Sequence, residues 1–343
     1  MTSLLAFLVV IGISVVIHES GHFLAARACG VRVDEFAFGM GPAVLSRQGK
    51  ETRWSLRLFP LGGFVRLAGM GEPGETPCPP ERSFGGKTAG QRFVILAAGS
   101  AFNLLLAWIL TVLLLMGYGI LDLQTPRVGE VMAGYPAQQA GIEPGDRIVG
   151  INNRKVEDWK AMASAIRREA PKGPVHLEVE REGVLRFLTV EIPTDPKEKA
   201  PLLGVRPARR TMGLLEATTQ GWGYSWRMGM EILSGIWRWV FRTQKVDLTG
   251  PVGIASMAGE AARQGFWEFL SFLAILNLHL GLLNLLPFPA LDGGRLVFVG
   301  LEAVLRRKVP ERYENYIHYA GFVLLLTMIL FVTWKDVSRL LQH

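Results

Sequence analysis

The sequence predicts a polytopic α-helical membrane protein with four transmembrane helices, a membrane-associated β-rich segment and one extracytoplasmic α+β domain. Three observations carry this. Stretches near 3–25, 93–118, 267–289 and 318–334 are mostly apolar over the ~20 residues that a bilayer crossing needs. The chain is 49% hydrophobic, which points the same way. The loop from Arg27 to Lys87 carries nine Lys and Arg, against none ahead of the first crossing, so it is expected on the cytoplasmic side. Arg295, Arg306, Arg307, Lys308 and Arg312 repeat the signal after the third crossing, and Lys335 and Arg339 follow the fourth. Both termini and the region from about 122 to 266 are then extracytoplasmic. The net charge of +7 is scattered between apolar blocks and does not form a patch, which excludes a nucleic-acid partner. Cys29 and Cys78 fall on the cytoplasmic side and read as free thiols.

The first membrane part, 1–121, opens with Met1-Thr2-Ser3, which lacks the positive charge of a cleaved leader, so the first helix is expected to be retained. Inside it stands His18-Glu19-Ser20-Gly21-His22. On a helix, residues four apart share a face, so the two imidazoles can hold one metal ion, and Glu19 is placed to take a proton from water at that ion. Ionisable groups at membrane depth are expensive and usually functional.

Residues 33–69 alternate and turn as strands do: Val33 to Phe38, the turn Gly39-Met40-Gly41-Pro42, then Trp54 to Leu58, and Pro60-Leu61-Gly62-Gly63 leading into Phe64-Val65-Arg66-Leu67. Backbone near a membrane must pair or line a cavity. Two arrangements satisfy this: an edge strand that pairs with an unwound peptide, or a hairpin closed on itself. Residues 72–81, rich in Pro, Gly and Glu, read as a loop.

Residues 122–200 read as a compact domain with a strand at 128–131, a helix near 157–169 and strands near 174–181 and 185–192. Its run from Ala140 to Asn152, A-G-x-x-x-G-D-x-I-x-x-I-N, resembles a PDZ domain. That resemblance implies that the loop Gly134, Tyr135, Pro136, Ala137 offers backbone N–H groups to a peptide C-terminus. Residues 201–266 form an amphipathic interfacial region, because Trp222, Trp226, Met230, Trp237 and Trp239 recur beside arginines at helical spacing.

The second membrane part, 267–343, supplies a candidate third metal ligand. Asp292 follows Pro287 and Pro289, which break the helix and let the aspartate leave its path. The first and third crossings run the same way, so Asp292 comes to the depth of His18 and His22. His279 and His318 also lie in or near membrane segments and stay open as ligands. Asn103 and Asn284 are amides at membrane depth; they either hold a substrate backbone or oxyanion, or hydrogen-bond helices together for about 0.6 kcal/mol each.

The H-E-x-x-H in the first crossing, Asn284-Leu285-Leu286-Pro287-Phe288-Pro289-Ala290-Leu291-Asp292-Gly293-Gly294 in the third, and the domain between them resemble the site-2 protease family of intramembrane zinc metalloproteases. The match is nearest to the bacterial branch that cleaves membrane-bound anti-sigma factors. Phe38 to Pro42, Pro60 to Val65, Leu248 to Ile254 and Val332-Thr333-Trp334 extend the resemblance over nearly the whole length. It implies zinc held by His18, His22 and Asp292 near the cytoplasmic side of the bacterial inner membrane, and Glu19 as the catalytic carboxylate. It also implies a substrate-pairing strand around Gly62, Gly63, Phe64 and Val65. The implied substrates are single-pass membrane proteins, anti-sigma factors or signal-peptide remnants, already trimmed by a first cleavage. Ser100 stands where the family often has proline in G-P-x-x-N, Ser20 replaces a usual apolar residue, and one PDZ-like domain is present where some members have two. Two rival readings are a non-catalytic PDZ-containing membrane scaffold, for which Glu19→Gln changes nothing, and a metal-dependent transporter, for which crossings two and four offer few polar residues.

Overall fold

A computed structural model describes residues 2–70, 77–195, 200–241, 249–307 and 309–341. Residues 71–76 of the expected loop, together with Leu248, Lys308 and His343, lie outside them. The chain divides into two compact units, Met1–Leu114 with Thr218–His343, and Leu115–Ala217.

The first unit begins with α1 (Thr2–Ala28), continues through β1 (Val33–Gln48) and β2 (Arg53–Leu67), and enters α2 (Ala89–Gly117). Residues 35–38 of β1 pair with 63–66 on one side and with 53–56 on the other, while 43–48 pair with 53–57. Each long strand therefore folds back and contributes twice to one small sheet. Most of the segment is closed on itself, and among the described residues no strand pairs with the outer side of 63–67. Gly39, Gly41 and Gly62 adopt positive φ at the fold-back points, where a side chain would be strained.

The second unit holds β3 (Ile120–Leu121), β4 (Val128–Val131), α3 (Pro136–Gln139), β5 (Arg147–Ile151), β6 (Arg154–Lys155) and α4 (Trp159–Glu169). It continues with β7 (Val175–Arg181), β8 (Val184–Val190), β9 (Thr194–Asp195), β10 (Ala200–Pro201), β11 (Val205–Pro207) and β12 (Arg209–Arg210). Its main sheet has the order β6-β5-β7-β8. Two-residue turns with positive φ at both positions, Asn152-Asn153 and Glu182-Gly183, close its hairpins, as the right-handed strand twist demands. Asp158 caps α4 by accepting from Ala161 N–H at 2.7 Å, which fixes the helix start just past the expected position. Val128, Ile148, Ile151, Met162, Val175, Leu177 and Val179 fill the core. Under it Asp146 is buried and accepts from Arg181 Nε and Nη2 at 2.7 and 2.8 Å and from Glu143 N–H at 2.9 Å.

The chain continues with α5 (Leu214–Val240), whose Trp222, Trp226 and Trp237 are exposed, then α6 (Pro251–Gln264), α7 (Phe266–Asn284), α8 (Asp292–Leu305) and α9 (Glu311–Leu341). Among the described residues four helices are long and apolar enough to cross a membrane: α1, α2, α7 and residues Arg312–Ser338 of α9. The third ends at Asn284, short of the expected 289, because proline at 287 and 289 supplies no N–H and collides with the preceding turn. The fourth is longer than expected at both ends, where polar residues hide its helicity from a hydropathy reading.

Helix α6 lies along α1, so closely that a Cβ on Gly259 would overlap Ser3. Its N-terminus is capped from a distance: Asp336 of α9 accepts from the N–H groups of Gly250 and Gly253 at 2.9 and 3.0 Å. Between α1 and α7, the buried Asn277 donates to Ser14 Oγ at 3.0 Å and Ser14 to Val10 O at 2.8 Å, an amide link of the kind that joins membrane helices.

Candidate metal centre

His18 and His22 share one face of α1, and Asp292 is the first residue of α8. The structure brings the three together: His18 Nε2 and His22 Nε2 are 3.2 Å apart and stand 3.1 and 3.3 Å from Asp292 Oδ2. Zinc held tetrahedrally at 2.0–2.1 Å by nitrogen and oxygen separates its ligand atoms by about 3.3–3.4 Å, so this triangle has the right edge. His22 Nδ1 lies 2.8 Å from the Ile95 carbonyl, which holds the ring proton there and turns the Nε2 lone pair inward. Asp292 Oδ2 is buried and receives no hydrogen bond. Acceptor atoms facing one another in a buried site are unfavourable by themselves, and a cation between them removes the conflict. The donor set therefore fits a divalent metal. Among the described residues it is the one group of three or more His, Cys, Asp or Glu that can hold an ion.

Glycine lets the elements close on this triangle. At Gly21 an added Cβ would run into the Ala98 carbonyl, and at Gly99 into the His22 ring, so α1 and α2 touch backbone to backbone beside the metal ligands. Gly293 and Gly294 play the same part behind Asp292, where a Cβ would meet the backbone of Leu285 and Leu286 or the Phe288 carbonyl. Residues 285–291 leave the helical path, with Ala290 at φ 77°.

Glu19 is buried and lies within electrostatic reach of His18, His22 and Asp292. Strand 63–67 passes directly over it. A Cβ on Gly63 would stand 3.2 Å from Glu19 Cγ and 2.8 Å from Val15 Cγ1, and the Val65 backbone N–H faces the Glu19 carboxylate. On the far side of the sheet the buried Glu35 accepts from Ser55 Oγ at 2.6 Å and Arg57 Nη2 at 2.7 Å. The guanidinium of Arg57 lies 4.7 Å over the Phe64 ring, a cation–π contact between two stretches of β2.

The other sequence candidates fall as follows. Asn103 is buried with its Nδ2 3.4 Å from His18 Nδ1 and its Oδ1 without a partner, so it stands behind the first histidine. Asn284 is the half-buried last residue of α7. His279 bonds to Ile275 O on its own helix and stands outside the cluster. His318 is also outside it and accepts from the Ala290 N–H at 3.1 Å. In the second unit, the loop expected to present free N–H groups has none to spare. Gly134 N–H donates to Gln138 Oε1 at 2.8 Å, Tyr135 N–H to Met132 O at 3.4 Å and Ala137 N–H to Leu203 O at 2.9 Å, and Pro136 has no N–H. Sequence reasoning missed Gly99, Ala290 and Asp336. The glycine next to Ser100 in a helix, and a carboxylate in the last apolar segment, are the signals that pointed to the first and third.

The model of the family described as Peptidase family M50 matches residues 6–328. The chain is 32% identical to "Zinc metalloprotease RasP" of Geobacillus kaustophilus, over 98% of each chain. It is 28% identical to "Regulator of sigma-W protease RasP" of Bacillus subtilis, over 98% of this chain and 99% of that one. Among solved structures, the PDZ domain of the SdrC-like protein of Listeria innocua overlays 26% of this chain and 99% of its own, at 15% identity and a TM-score of 0.23, too low to bear on the fold.

Proposed function

The chain belongs to peptidase family M50 and is a zinc metalloprotease with membrane-spanning helices, and on that premise we propose that it hydrolyses a peptide bond of a single-pass membrane protein at the centre built from α1 and α8. The observation that carries this is the triangle of Nε2, Nε2 and Oδ2 with its 3.1–3.3 Å edges, set beside the buried Glu19. In this reading His18, His22 and Asp292 hold the zinc. Bound there, zinc polarises the scissile carbonyl and makes water a nucleophile near neutral pH. Glu19 takes the proton from the attacking water and returns it to the leaving amine. Ile95 O holds the His22 tautomer. Turned through half a rotation, the Asn103 amide offers its partnerless Oδ1 to the Nδ1–H of His18 and does the same for that ring.

A substrate helix buries its carbonyls in its own hydrogen bonds, so it must unwind before hydrolysis. The outer side of strand 63–67, over Glu19, is a template on which an extended segment pairs; Gly62, Gly63, Phe64 and Val65 supply that template and Asn284 the opposing amide. The name of the Bacillus subtilis relative, a regulator of sigma-W, supports anti-sigma-type substrates, entered after a first cleavage has removed their outer part. The excess of Lys and Arg between Arg27 and Lys87 supports a centre near the cytoplasmic face of the bacterial inner membrane, with both termini and the 122–200 domain outside. The phrase Ala140 to Asn152 supports a PDZ-like module there; capture of a peptide C-terminus by it requires Gln138 to release Gly134 N–H.

The test is reconstitution in liposomes with a single-pass substrate, with and without its outer domain. Cleavage inside the membrane segment, abolished by Glu19→Gln and by chelation, is expected. Cleavage that persists in Glu19→Gln removes the proposed role of that residue.

A further inference from the structure

Asp292 reaches its position at the end of a strained turn. Ala290, two residues earlier, has φ 77°, a backbone region that favours glycine over a residue with a β-carbon. Something outside the turn must hold it. Its N–H donates to Nδ1 of His318, 3.1 Å away on α9. The approach of that helix is built in: one turn along, a Cβ on Gly321 would run into the backbone of Pro289, and a Cβ on Gly294 would stand 3.2 Å from His318 Cε1. With Nδ1 accepting, the ring proton sits on Nε2, which is buried and has no partner. The ring packs 5.8 Å from that of Phe298. His318 stands outside the metal triangle, and its one hydrogen bond is to the turn that delivers the third ligand.

We infer that His318 is a positioning residue: by accepting the Ala290 N–H it holds the 285–291 turn in the left-handed conformation that aims Asp292 at His18 and His22. This rests on the metal centre proposed above. Without the imidazole, Ala290 relaxes toward negative φ, the start of α8 swings, and Asp292 loses its place in the triangle. Two different repairs follow from the geometry. Asparagine at 318 places its Oδ1 where Nδ1 was, whereas glutamine puts its acceptor near the old Nε2. Glycine at 290 accepts positive φ without a clamp.

The experiment measures zinc affinity of the purified full-length protein in detergent by competition with a chromophoric chelator, with the thermal midpoint as a folding control. Wild type, Asp292→Ala, His318→Ala, His318→Asn, His318→Gln and the double variant His318→Ala with Ala290→Gly are compared. Loss of a group that orients a metal ligand weakens binding by about 10–100-fold, and that loss is expected for His318→Ala and His318→Gln. His318→Asn is expected within about threefold of wild type, and the double variant is expected to recover part of the loss. Wild-type affinity in His318→Ala overturns the inference. So does an asparagine variant that is folded yet as weak as the alanine one, since packing alone would then explain the loss. If wild type and Asp292→Ala bind zinc equally, the metal centre itself is wrong and the inference falls with it.

Discussion

Replacing Gly99 by alanine puts one methyl group against a metal ligand. The new Cβ would overlap His22 Nε2 and stand 2.8 Å from both Cδ2 and Cε1. Carbon atoms rest at about 3.5–4.0 Å, so the ring must retreat by about 1 Å. It cannot swing freely, because its Nδ1 is tied at 2.8 Å to the Ile95 carbonyl on the same helix as Gly99. A zinc–nitrogen bond tolerates about 0.2 Å of error. The displacement therefore removes one of three protein ligands, a loss larger than the 10–100-fold that follows from disturbing an orienting group. Gly99→Ala is expected to weaken zinc binding by at least ~100-fold, about 2.7 kcal/mol. Helix propensity works in the opposite direction: alanine in place of a mid-helix glycine adds up to about 1 kcal/mol, so loss of metal cannot be blamed on a failing helix. Zinc competition and thermal unfolding of full-length protein in one detergent separate the two effects. Ser100→Ala, one residue along, serves as the neighbour that changes no ligand contact. If Gly99→Ala binds zinc within threefold of wild type, the argument for a rigid backbone contact beneath His22 is refuted.

Glu19→Gln is expected to retain zinc and lose cleavage by about 10²–10⁴-fold, the span of general-base contributions, read as single-turnover rate beside metal content. In the second unit, burial pushes the Asp146 carboxyl up, but the hydrogen bonds from Arg181 and the Glu143 N–H outweigh it, and its pKa is lowered. The stability it contributes is present above the unfolded value, about 3.9, and is lost as pH falls through the lower folded value. Asp146→Asn is expected to cost about 2–4 kcal/mol at neutral pH and to flatten the acid limb, as hydrogen exchange of 115–217 in the full-length protein will show. Asp336→Ala removes the cap from α6 and is expected to cost about 0.5–2 kcal/mol, read as a lower thermal midpoint with zinc affinity unchanged. An Asp336 variant that loses zinc while remaining folded would contradict its purely structural placement.

What could be read from the sequence follows how local each relation is. The His18 and His22 spacing is one helical turn, and Pro287 and Pro289 mark the break before Asp292, so the residues that converge were nameable in advance. Alternation showed strands from Val33 to Leu67, but not that residues 35–38 would be paired on both sides, because pairing depends on where a chain folds back. The Gly250 and Gly253 N–H groups find their acceptor on Asp336, at the other end of the chain's second half, and nothing in the spacing announces it. His318 looked like a spare metal ligand because sequence gives residue type and not which nitrogen is occupied. The hydrogen bonding of the Gly134 loop is hidden for a related reason. Its shape is local, but the acceptors that consume its N–H groups, Gln138 Oε1 and Leu203 O, are revealed only by complete accounting.

The proposed pairing of a substrate with the outer side of strand 63–67 has a consequence for selectivity. A strand edge offers the same row of donors and acceptors to any sequence, so it reads that a segment is extended and nothing about its side chains. An enzyme working through such an edge chooses by the ease with which a transmembrane segment gives up its helix. Glycine, proline or asparagine near the scissile bond then acts as a recognition signal without being recognised by any pocket, and strengthening a substrate's helix would protect it as surely as altering the bond that is cut.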